Sequence, residues 1–94
     1  MSENEKKFER FAQLFKALDH PVRIKILYFL NNNRCNVTNL ENILGISQSR
    51  VSQHLRVLRL SGIISPKRMG KEICYDIVDE DVKKILSLCF KENG

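Results

Sequence analysis

Apolar residues recur at helical spacing along most of the chain and switch to strict alternation only once. The pattern therefore predicts five helices interrupted by a single hairpin. Phe8, Phe11, Ala12, Phe15 and Leu18 form one stripe over about Glu3 to Leu18. Asp19-His20-Pro21 punctuates the chain, because proline disfavours helix before it and suits a first helical position. His20 is read as bracing the start of a second helix, which runs to about Leu30 with Val22, Ile26, Phe29 and Leu30 inward. Asn31-Asn32-Asn33 ends it, since asparagine is a poor helix former. Thr38 and Glu41 are spaced as a capping box and open a third helix that closes near Leu44 at Gly45. Ser47 is a good N-cap for a fourth helix reaching about Leu60, where Gly62 stops it. Two helices joined by a short glycine-centred turn predict a helix-turn-helix.

After Gly62 the apolar period becomes two. Ile63, Ile64 and Ser65 to Arg68 lead to Met69-Gly70, followed by alternation at Ile73, Tyr75 and Ile77. Gly70 between extended segments reads as a hairpin turn, so residues 63–78 form a basic wing. This phase puts Cys74 on the exposed side of its strand. Asp79 then caps a last helix from about Glu80 to Lys91, with Val82, Ile85, Leu86 and Cys89 as its stripe and Cys89 as a small buried hydrophobe. The expected fold class is mainly α with a small β-hairpin. It is a winged helix-turn-helix of order α-α-α-α-β-β-α, forming one domain over 1–94.

Charge changes this picture more than composition does. The net charge of +5 is not spread evenly. From Asn42 through Lys71 there is no acidic residue, while Arg50, Arg56, Arg59, Lys67, Arg68 and Lys71 are basic. In the rest of the chain, 10 basic and 11 acidic residues nearly cancel. Ordinary soluble surfaces intersperse both signs, so a long acid-free stretch points to a polyanion, and double-stranded DNA is the expected partner.

The fourth helix carries the candidate readout. Val51, Leu55 and Leu58 define its apolar side, and Ser49, Gln53 and Arg56 point the other way with Ser52 beside them. Glutamine pairs bidentately with adenine, arginine with guanine, and serine with either. Helix 47–60 is therefore expected in the major groove, with Ser49, Ser52 and Gln53 on bases and Arg50 and Arg56 on bases or phosphates. Gln48 borders the apolar side and can reach a phosphate. His54 lies at the other border, where a hydrogen bond within the domain and a DNA contact are equally open. Lys67, Arg68 and Lys71 on the wing suit phosphates or the minor groove, giving affinity and register rather than sequence choice.

Other classes are disfavoured. No apolar run approaches the roughly 18 residues of a membrane span, and the N-terminus lacks a signal-peptide core, so the expected location is the cytoplasm. Two histidines, no glycine-rich phosphate loop and no paired acid-base constellation argue against an enzyme, and no cofactor is implied. Three dispersed cysteines, Cys35, Cys74 and Cys89, match neither a disulfide framework nor a zinc pattern, and free thiols are the default. The alternative to a sequence-specific regulator is a winged-helix module for protein contact or nonspecific nucleic-acid binding.

The segments Ala17 to Arg23, Leu44 to Ser49, Val51 to Leu55 and Arg68 to Tyr75 resemble the ArsR/SmtB family of small winged-helix repressors. The resemblance covers about Phe8 to Phe90. It implies a homodimer whose first and last helices form the interface, bound to an operator and released by a metal or oxidant. Leu88 and Phe90 lie off the last helix's stripe, which independently favours a symmetric pair and hence a palindromic site. The family's metal-binding Cys-x-Cys is missing from Asn36-Val37-Thr38-Asn39-Leu40. On the last helix Asp79 matches a ligand position, but Asp81 stands in place of histidine and Glu92 is the one later candidate. Without imidazole or thiolate this is a poor zinc site, so no metal is assigned. Thiol-sensing members pair cysteines on the second and last helices. Those positions fall near Tyr28 and the C-terminus here, so a redox role for Cys35 with Cys89 is weighed against inert thiols.

Overall fold

The computed structural model describes residues 3–32 and 36–91. Its elements are α1 (Glu3–Leu18), α2 (Pro21–Asn31), α3 (Val37–Leu44), α4 (Gln48–Leu60), β1 (Ile64–Met69), β2 (Glu72–Ile77) and α5 (Glu80–Cys89). Order and type follow the hydrophobic pattern, and the fold is a winged helix-turn-helix.

The helix boundaries are set by side chains that meet the unpaired amides of each first turn. His20 stands in extended backbone and its Nδ1 accepts from the Val22 amide at 3.1 Å, with Pro21 opening α2. Ser47 Oγ accepts from the Arg50 amide at 3.2 Å to start α4. Asp79 Oδ1 accepts from the Val82 amide at 3.0 Å to start α5. The capping box expected at Thr38 is not the one used. Asn36 caps α3, its Oδ1 accepting from the Asn39 amide at 2.7 Å, so the helix begins before Thr38. Asparagine serves equally well there, and its position lets the same side chain reach the wing. Gly45, at φ +66°, supplies the left-handed turn between α3 and α4 that β-branched or bulky residues adopt only with strain.

One core is assembled from every element. Leu14 and Ala17 of α1, Ile26, Leu27 and Leu30 of α2, Leu40 of α3, and Val51, Leu55 and Leu58 of α4 meet Ile63, Ile64, Ile77, Val82 and Leu86. The stripe expected on α1 is met only in part: Phe11 and Leu18 are partly buried against this core, and the rest of the stripe is exposed. Phe8 is 66% and Phe15 55% exposed, while Leu14 and Ala17, on the neighbouring side, do the packing. Aromatic residues left outside the core satisfy the same periodicity as buried ones, which is why sequence spacing does not separate Phe8 and Phe15 from Phe11.

The wing is a two-stranded antiparallel ribbon with Met69 opposite Glu72, closed by Gly70-Lys71. Its phase differs from the expected one. Cys74 is 3% exposed and Ile73 is exposed at 48%. The cause is tertiary: Asn36 forms a β-bridge with Cys74 and donates from Nδ2 to Glu72 Oε2 at 3.1 Å. The start of α3 thus covers one side of β2, and Cys74 turns toward it.

Candidate nucleic-acid interface

α4 is held by its inner edge and free along its outer one. Val51, Leu55 and Leu58 are buried, whereas Gln48, Ser49, Arg50, Ser52, Gln53 and Arg56 are exposed. The outer face is a row of hydrogen-bond donors and acceptors on a rigid helix, the geometry that base-edge recognition requires. Arg59, which its spacing places nearer the core, is exposed as well.

His54 is half-buried at the border of this face. Its ring lies 4.5 Å from that of His20, tilted by 52°. Burial, and then the fields of His20, Arg23 and Arg50, hold the His54 imidazole below its ordinary value. Arg23 is fixed in place, donating from Nε to the Ala17 carbonyl at 2.6 Å and from Nη2 to the Lys16 carbonyl at 3.4 Å. Sequence spacing gives no sign that the corner between α1 and α2 packs its imidazole against the fourth helix.

On the wing, Lys67, Arg68 and Lys71 are all exposed. Lys67 and Arg68 are adjacent on β1 and so point to opposite sides of the ribbon. Lys67 pairs diagonally across the strands with Asp76, Nζ to Oδ2 at 3.1 Å. Both partners are about half exposed, so this pair is weak and yields readily to a stronger anion.

Two of the carboxylates weighed as metal ligands, Asp79 and Asp81, have another partner, and Glu92 lies outside the described residues. Arg10 of α1 reaches Asp79 Oδ2 at 2.9 Å and Asp81 Oδ2 at 3.0 Å, tying α1 to the first turn of α5. The hydrogen bond to Asp81, with the fields of both carboxylates, raises the guanidinium above its usual range. Among the described residues, no group of three or more His, Cys, Asp or Glu is placed to hold a metal ion.

The cysteines fall differently from expectation. Cys74 is buried and disulfide-bonded rather than an exposed thiol. Cys89 is an exposed free thiol in the single chain rather than a buried hydrophobe, because α5 ends there and the chain turns at Phe90. Cys35 lies outside the described residues. Tyr28, near which the family resemblance places a sensing cysteine, makes an edge-on ring contact with Phe90 at 5.0 Å.

A family model described as "Bacterial regulatory protein, arsR family" matches residues 20–65, which span α2 through the start of β1. A biofilm growth-associated repressor from Xylella fastidiosa is 35% identical over 86 residues, 92% of this chain and 75% of that one. The chain belongs to the ArsR family. Among solved structures, the transcriptional repressor PagR of Bacillus anthracis superposes with a TM-score of 0.82 at 37% identity, covering 92% of this chain and 99% of PagR. A homodimeric winged helix-turn-helix DNA-binding domain from Mycobacterium bovis superposes with a TM-score of 0.81 at 25% identity, covering 95% of this chain and 82% of that one. ArsR-family proteins are transcriptional regulators rather than enzymes. No helix among the described residues is long and apolar enough to cross a membrane.

Proposed function

We propose that this protein is a homodimeric, sequence-specific DNA-binding repressor. In this reading α4 enters the major groove and the wing lies on the backbone. The observation that carries it is the coincidence of three features. The outer face of α4 presents Ser49, Ser52, Gln53 and Arg56 to solvent; Lys67, Arg68 and Lys71 flank it on the wing; and the sequence from Asn42 to Lys71 holds no acid. Bases are read by the first set and phosphates are met by the second, with Arg50 and Gln48 at the edge.

Dimerisation is supported by a separate surface. Phe8 and Phe15 on α1 and Leu88 on α5 are each more than half exposed, and Phe90 is 39% exposed. Large apolar side chains on the first and last helices suit a second copy of the same chain, for which twofold symmetry is the commonest arrangement. Two recognition helices related by that axis would read a palindromic operator with half-sites about one helical turn apart.

The test is fluorescence anisotropy with a duplex selected by the protein from random sequence, against a scrambled duplex of equal length, over a range of salt. Preference for the selected duplex of about 10³ or more, with a steep salt dependence, is the expected result. Equal, shallow binding to both duplexes would instead assign the fold to protein contact or nonspecific association.

A further inference from the structure

His20, His54, Arg23 and Arg50 form a cluster at the edge of the recognition helix. The groups acting on His54 come from three places: His20 from the corner between α1 and α2, Arg23 from α2, and Arg50 one turn back on α4. None of them is a carboxylate. Arg23 cannot swing aside, because two α1 carbonyls hold its guanidinium. His20 is committed as well. Its Nδ1 accepts the Val22 amide, so that nitrogen carries no proton. His54 caps no helix, and it stands next to Gln53 on a helix whose outer face meets solvent.

A cluster of cations and imidazoles without an anion is electrostatically unfavourable in the free chain, and a nearby phosphate would relieve it. A backbone phosphate beside α4 favours the imidazolium for two reasons. Its charge offsets the neighbouring arginines, and a protonated ring nitrogen donates a charge-assisted hydrogen bond to it. We propose that His54 is a proton-linked phosphate contact: binding to DNA transfers one proton from solvent to its imidazole, so operator affinity rises as pH falls. The capping ring of His20 packs against that of His54. The inference rests on the DNA-binding reading above and adds a regulatory input to it.

The experiment is anisotropy with the selected duplex at pH 6, 7 and 8 at constant ionic strength, on the wild type, His54→Gln and His20→Asn. Uptake of one proton sets a ceiling of about 100-fold between pH 8 and 6, and a gain of about tenfold or more is expected for the wild type. His54→Gln should lose that dependence. His20→Asn keeps a good capping acceptor and leaves His54 in place, and should retain it. A measurement without substitution guards against misfolding: the His54 ring proton resonance, followed by NMR, should titrate at higher pH in the complex than in the free protein. A pH dependence that survives His54→Gln, or a His54 titration that does not move on DNA binding, would overturn the inference while leaving the repressor reading intact. Absence of binding to any duplex at every pH would overturn the repressor reading, and this inference with it.

Discussion

Two exposed surfaces of this small protein differ in what they are exposed for. The surface built by α4 and the wing carries serine, glutamine, arginine and lysine. The surface built by α1 and α5 carries Phe8, Phe15, Leu88 and Phe90. In the proposed reading each is completed by a partner, and the physics of completion is opposite. Meeting a polyanion releases counterions and weakens steeply with salt, whereas burying aromatic rings against a second copy is governed by the hydrophobic effect and is not weakened by salt. The difference teaches that fractional exposure has no meaning until the chemistry of the exposed groups is read. An exposed glutamine on a rigid helix is available to a ligand, while an exposed phenylalanine asks to be covered.

The largest effect should come from breaking the apolar surface. Leu88→Glu combined with Phe15→Glu is expected to convert dimers to monomers in sedimentation velocity. It should also lower operator affinity by about 10²-fold or more, because the second half-site is no longer tethered to the first. A dimer that persists would place the interface elsewhere. On the polar surface, Gln53→Ala should cost about 1–3 kcal/mol on the selected duplex and relax sequence choice, as read by anisotropy against single-base variants. Unchanged selectivity would remove Gln53 from the readout.

Asp79→Ala touches the polar surface indirectly and the α1–α5 surface directly. It removes the α5 cap, and thermal unfolding should report a drop of about 1 kcal/mol from the cap alone. Lys67→Ala with Arg68→Ala should weaken binding to all sequences alike and reduce the salt slope by roughly 1 for each phosphate the wing no longer meets. Because the two side chains point to opposite sides of the ribbon, a change of about 1 would mean that a single face of the wing meets the backbone.

The smallest effect is on pH-dependent stability. His54 is held below its ordinary value of 6.5, so the folded chain takes up this proton less readily than the unfolded chain. Its contribution is therefore complete above that value and is lost as pH falls through it toward the folded value. Thermal unfolding of the free protein should decline slightly from about pH 7 to about pH 5.5, and less so in His54→Gln. A free protein that is destabilised by acid, yet grips DNA more tightly in it, would set the two surfaces in direct contrast.

Much of the site is legible in the order of residues. The outward set on α4 needs only the spacing of Val51, Leu55 and Leu58, since a helix with a fixed inner edge has a fixed outer one. The caps at His20, Ser47 and Asp79 are legible because capping is local, involving groups two or three residues apart. The departures share a cause as well. Asn36 displaces Thr38 as the α3 cap, where Asn36 also bridges to the wing, and Cys74 faces inward because α3 covers its strand. Phe8 and Phe15 match an inward stripe in period but lie outside the protomer core.

The sequence by itself determined the order of elements, the helix-turn-helix with its basic wing, and the segregation of charge into one continuous third of the chain. All of these follow from periodicity, turn residues and charge counted along the backbone. Only the tertiary structure decided which side of β2 is buried, that Arg10 binds the carboxylates at the start of α5, and that His20 meets His54. Those pairs are separated by 69 and 71 residues for Arg10 and by about a third of the chain for the histidines. Contacts at such separation depend on how whole elements pack, and no local pattern encodes them.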